Sequence, residues 1–170
     1  MMYNKNRLVL LTNPINNKYF QELLTYFVAS TIRQLYIKLH PSEKKQDYSF
    51  IDNNIFDINW LESELENCIS QGDIVITICS SAAYECISLG AIVFEYNILK
   101  TCKIELHKNN LAETFIINEK LNPKLLDYII NGIPISVMEE RKNRLDFYWG
   151  EDENKLANNV SNFIHNLFES

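Results

Sequence analysis

Glycine is scarce in this chain, four in 170 residues, and none of the four follows the first apolar run. The glycine-rich turn that lets a backbone approach a dinucleotide pyrophosphate therefore has no candidate, nor has the phosphate loop of the ATPases. A role built on NAD or FAD is disfavoured on that ground. The four cysteines, Cys68, Cys79, Cys86 and Cys102, show no CxxC spacing, which argues against a zinc site and points to buried free thiols in a cytosolic protein. The histidines number three, at positions 40, 107 and 165, and there is no HExxH. No Ser-His-Asp arrangement with a nucleophile motif and no close pair of carboxylates stands in a pocket context, so the sequence offers no catalytic base and no metal ligands.

Long apolar runs are missing too. No segment reaches the length that spans a bilayer, and the opening MMYNKNRLVLL has no small-residue cleavage site, so it does not read as a secretory signal. A net charge of −6 gives a nucleic acid or an anionic membrane surface little to neutralise. The hydrophobic fraction of 46% and charged fraction of 22% are those of an ordinary globular protein. The length fits a single domain, residues 1–170.

What is present is an alternation of apolar runs and helical stripes. Arg7–Leu11, Leu35–Leu39, Ile74–Ile78 and Ala91–Phe94 read as strands, Arg7–Leu11 as a buried one and Ile74–Ile78 as one buried on both faces. Tyr48–Ile51 reads as a short strand and Thr114–Asn118 as a last one. Helical spacing marks Lys18–Gln34, Asp57–Ser70, Ala82–Leu89, Pro123–Ile130, Ser136–Trp149 and Asn154–Phe168. Gly90 stands where a helix C-cap is expected, and the acidic break Gly150–Glu153 reads as a turn. The order predicts an α/β fold, a Rossmann-like three-layer α/β/α with a parallel sheet and C-terminal helices packed on it.

In such a sheet the loops after the strands converge on one crevice. Three of them carry polar groups: Thr12-Asn13-Pro14, His40-Pro41 and Ser80-Ser81. Pro41 fixes the backbone after His40, whose imidazole can donate to a phosphate or carboxylate; alternatively His40 is a solvated strand end. Ser80 and Ser81 serve either as a helix cap or as phosphate ligands. Glu85, one helical turn on, either receives ribose hydroxyls or stabilises the helix dipole. Thr12 and Asn13 read as a turn or as loop contacts to the ligand. Lys38 reads as structural, and His107 and His165 as surface residues.

The segments IKLHP (residues 37–41), DIVITICSSAAYE (73–85) and SLGAIVFEY (88–96) together resemble the C-terminal, nucleotide-sugar-binding half of GT-B glycosyltransferases. The nearest likeness is to bacterial sialyltransferase-like and capsule or lipooligosaccharide enzymes. The resemblance implies that His40, with Pro41 setting its loop, contacts the donor phosphate together with Ser80 and Ser81, and that Glu85 binds ribose. It implies a CMP-sugar donor such as CMP-sialic acid, no cofactor, a cytoplasmic location, and a separate N-terminal half or a homo-oligomer as partner. The D/E-D/E-G base motif of those families has no counterpart here. A non-catalytic binding module of the same fold and a UDP-sugar epimerase-like half are the alternatives.

Overall fold

The computed structural model describes residues 2–3, 7–14, 17–30, 32–96, 104, 106–117 and 120–149. In chain order these form β1 (Met2–Tyr3), β2 (Leu8–Leu11), α1 (Asn17–Val28), β3 (Gln34–Lys38), β4 (Asp57–Leu61), α2 (Leu65–Cys68), β5 (Ile74–Thr77), α3 (Ala82–Ser88) and β6 (Ile92–Glu95). There follow β7 (Glu113–Thr114), β8 (Ile116–Ile117), β9 (Lys120–Leu121), α4 (Pro123–Asn131), β10 (Ile133–Pro134) and α5 (Ile135–Trp149).

Six strands make one sheet in the order β4-β3-β2-β5-β6-β7, every neighbouring pair parallel. The chain builds outward from β2 through β3 to β4, then returns to the other side of β2 with β5. β2 and β5 thus flank the point where the winding reverses, and a parallel α/β sheet opens its crevice beyond the carboxyl ends of those strands. Two antiparallel pairs, β1 with β10 and β8 with β9, lie apart from the sheet.

Helices cover both faces, which is why β2 is apolar throughout and β5 and β6 are apolar up to their last residues, Thr77 and Glu95. Leu8, Leu10, Ile74, Ile76, Ile92 and Phe94 pack against Phe20, Leu23 and Phe27 of α1 and Leu125 and Tyr128 of α4. Val9, Leu11, Val75 and Val93 pack against Ala83, Cys86 and Ile87 of α3 and Leu145 of α5. Helix α3 ends as expected: the Gly90 N–H reaches the Ile87 carbonyl (2.9 Å) and the Ala91 N–H the Cys86 carbonyl (3.0 Å). Gly90 takes φ +87° to make that turn, and a Cβ there would meet Gln71 Cγ at 3.1 Å. Asn122 caps α4 by accepting from the Lys124 N–H at 2.9 Å ahead of Pro123.

Two expectations fail in the same stretch. Tyr48–Ile51 is not a strand; Lys45–Tyr48 is a 3-10 turn, with Tyr48 edge-on to Phe20 and Trp60. Asp57–Ser70 is not one helix. Asp57–Leu61 pairs residue for residue with Gln34–Lys38 as β4, and only Leu65–Cys68 is helical. The spacing of Ile58, Leu61 and Leu65 imitates a helical stripe, but β3 has a free edge whose N–H and C=O groups take whatever extended segment lies against them. Two smaller shifts follow. Helix α1 stops at Val28, short of Gln34, and the last strand is interrupted at Phe115. The helix expected over 154–168, the turn at 150–153 and His165 lie outside the described residues.

Candidate functional site

The amino edge of the sheet is closed by charge. Arg7, just before β2, grips Asp73, just before β5, with Nε to Oδ1 at 2.9 Å and Nη2 to Oδ2 at 2.5 Å. Asp73 is buried and also accepts the Ser70 N–H at 2.8 Å. The polar groups of this edge satisfy one another, and the pair reads as a structural clamp.

The carboxyl edge is different. At its centre Thr12 is buried; its hydroxyl donates to Glu43 and accepts the His40 backbone N–H at 2.9 Å. Next to it, Asn13 Nδ2 donates to the Cys79 carbonyl at 3.1 Å. One run of hydrogen bonds therefore ties His40 after β3, Thr12-Asn13 after β2 and Cys79-Ser80 after β5. Three loops far apart in sequence are brought together as the polar strand ends implied. Thr12 lies in the floor of this edge with its proton already committed.

Glu43, which the sequence reading passed over, organises the β3 side. One oxygen takes Thr12 and, at 3.1 Å, the His40 N–H; the other accepts the Tyr48 hydroxyl at 2.6 Å. Burial, then the Glu43 carboxylate, push the Tyr48 phenol pKa up. The His40 ring is held locally: Nδ1 lies 2.8 Å from Ser42 Oγ and accepts the Ser42 backbone N–H at 3.3 Å. With Nδ1 accepting the Ser42 N–H, the neutral His40 ring carries its proton on Nε2. His40, Pro41, Ser81 and Glu85 are exposed and Ser80 half-buried. Lys38, as expected, is structural, with Nζ 2.6 Å from the Ser63 carbonyl.

Cysteine chemistry departs from expectation at one position. Cys68 and Cys86 are free and buried, and burial pushes the Cys86 thiol up to about 12. Cys79 is disulfide-bonded. It stands past the buried run of β5, half-buried and with φ +50°.

The larger correction is at β6. Its last residue, Glu95, is 3% exposed and accepts three N–H groups: Leu106 N (2.9 Å), His107 N (2.9 Å) and His107 Nδ1. His107 is therefore not an independent surface residue; its side chain is 26% exposed and oriented by a buried carboxylate. Across the strands Thr77 is the register partner of Glu95, and its buried hydroxyl has no hydrogen-bond partner among the described residues. Tyr84 of α3 lies in the field of Glu95; burial and then that charge raise its pKa.

A cavity of about 510 Å³ opens elsewhere, beside Arg33, Asn53, Asn54 and Asp57, at the amino ends of β3 and β4. Arg33 there is occupied with the Ser30 and Ile32 carbonyls at 2.8 and 2.7 Å, and no histidine or serine lines the space, so the carboxyl edge is the better candidate. Among the described residues no three His, Cys, Asp or Glu side chains gather as a metal site, and no helix is long and apolar enough to cross a membrane. No family model matches the chain, and no curated protein does.

Proposed function

We propose that the chain is the donor-binding half of a glycosyltransferase, holding a nucleotide-sugar by its phosphate at the carboxyl edge between β3 and β5, with a CMP-sugar favoured. The observation that carries this reading is the tie from His40 through Thr12 and Asn13 to Cys79-Ser80. It brings the loop of His40 beside the loop that runs through Cys79 into Ser80 and Ser81, across the reversal of strand order where such sheets bind ligands. One imidazole N–H and two serine hydroxyls thus belong to neighbouring loops. All three are donors, which suits an anion without a large positive field, and the chain's acidic balance supplies none. Glu85, exposed on α3, is the carboxylate for ribose hydroxyls in this reading.

A melting screen with CMP, CDP, UDP and GDP tests it. A ligand at a hundred times its dissociation constant stabilises the folded state by about 2.7 kcal/mol, and CMP is expected to give the largest rise. A flat screen across all four removes the donor site. With a binding nucleotide in hand, His40→Ala is expected to weaken it by about 1–3 kcal/mol in calorimetry, the cost of a charge-assisted hydrogen bond.

A further inference from the structure

The donor site as read from the sequence has no group to take a proton, and the pair at the end of β6 supplies one. We infer that His107, oriented by Glu95, is the proton acceptor of the transfer reaction; the inference rests on the donor reading above.

The geometry separates this pair from a simple staple. Two backbone N–H groups, of Leu106 and His107, would be enough to fasten the turn to Glu95. The third bond goes to the His107 ring. A carboxylate can only accept, so Nδ1 carries a proton, and in the neutral ring Nε2 is left with a lone pair. That is the tautomer a general base needs, and a buried carboxylate behind it favours the imidazolium formed when the base has acted. Partial exposure of the ring, 26%, leaves it reachable. β6 is the strand next to β5 in the sheet, and Glu95 pairs with Thr77, three residues before Ser80. Glu95, which holds the base, and the loop of the serines thus lie at the carboxyl ends of adjacent strands. Buried Thr77 offers a further hydroxyl, unpartnered among the described residues, on the same face.

In the step this implies, an acceptor hydroxyl gives its proton to His107 Nε2 while its oxygen forms a bond to the anomeric carbon. The bond from that carbon to the donor phosphate oxygen breaks, and its electron pair leaves on the phosphate, held by His40, Ser80 and Ser81. Glu95 is a positioning residue: it fixes the tautomer and balances the imidazolium.

A chain that holds both donor and base should hydrolyse its donor slowly, with water in place of the acceptor. The full chain is incubated with CMP-N-acetylneuraminic acid, or with UDP-glucose or GDP-mannose if the melting screen selects those bases, and nucleotide release is measured. His107→Gln is expected to lower the rate by a factor on the order of 10² or more, with the nucleotide dissociation constant unchanged. In case that variant does not fold, the wild type is treated with diethyl pyrocarbonate at about pH 8, above the ordinary imidazole pKa, and the modified peptide quantified by mass spectrometry. His107 is expected to be acylated, and the nucleotide-sugar to slow that acylation at least about fivefold by occupying the edge. A flat melting screen ends the donor reading and this inference together. Nucleotide binding without hydrolysis, hydrolysis that survives His107→Gln, or a His107 that is unreactive or unprotected overturns the inference and leaves the donor reading standing.

Discussion

Two histidines stand on the carboxyl edge of one sheet, each near a carboxylate, and the two carboxylates are spent differently. After β3, Glu43 takes the Thr12 and Tyr48 hydroxyls and the His40 backbone N–H. It builds the loop and leaves the imidazole to Ser42, so His40 presents a donor. After β6, Glu95 takes two backbone N–H groups and the imidazole itself, so His107 presents an acceptor. One edge therefore offers a hydrogen-bond donor suited to an anion and a lone pair suited to a proton. What a histidine can do is set here by which of its groups the neighbouring carboxylate claims, not by whether a carboxylate is close.

The comparison breaks first at Glu95 if it breaks at all. Glu95→Ala removes an acceptor of three N–H groups and leaves the Leu106 amide buried without a partner, so a loss of about 3–5 kcal/mol is expected in urea unfolding. A loss below about 1 kcal/mol would mean that the 106–107 turn holds itself and that Glu95 does not organise it. Glu43 is expected to matter less. Glu43→Gln keeps one carbonyl oxygen and loses the charge, at about 1–3 kcal/mol, read from the same unfolding curves. An equal or larger loss at Glu43 would reverse the ranking of the two anchors.

The frame of this edge was legible in the sequence, while the anchors were not. β2, β5 and β6 announced themselves because strands covered on both faces carry nearly continuous apolar runs. Gly90 marked a helix end by its backbone requirement. β4 was hidden because an edge strand is only partly covered, which dilutes the period of two and lets Ile58, Leu61 and Leu65 pass for a helix. His40, Ser80 and Ser81 could be found because they follow strands directly. The His107 partnership could not, since its partner lies twelve residues earlier in a different element. A signal was nevertheless present: Glu95 closes the otherwise apolar run IVFE, and a carboxylate in that place must be met by donors from somewhere.

Tyr48 gives a smaller test, with a sign in pH. Its phenol pKa is raised in the fold by burial and then by Glu43, whereas the unfolded phenol titrates near 10. The stability held by the protonated phenol is therefore complete below about pH 10 and is lost as pH rises above it, because only the unfolded chain ionises readily there. Tyr48→Phe should cost about 1 kcal/mol at neutral pH, the ordinary worth of a lost hydroxyl bond. It should also flatten the decline in stability above about pH 10. Urea unfolding of both proteins at about pH 9 and about pH 11 would show it. Parallel declines would place the ionising group elsewhere, with Tyr84 and Tyr128, whose pKa values burial also raises, the next to examine.

The smallest effect is the most discriminating, because the two rings should differ where stability does not. His40 is exposed, and among the described residues its ring bonds within its own turn, so His40→Ala is expected to change unfolding free energy by no more than about 0.5 kcal/mol. In the wild type the ring nitrogens report the tautomer directly in nitrogen-15 spectra. His40 should carry its proton on Nε2 and His107 on Nδ1, and Glu95→Gln should disturb only the second. If both rings carry the proton on Nε2, the carboxylate after β6 has not claimed the imidazole. His107 would then be a second donor beside His40, suited to holding an anion and unable to accept a proton.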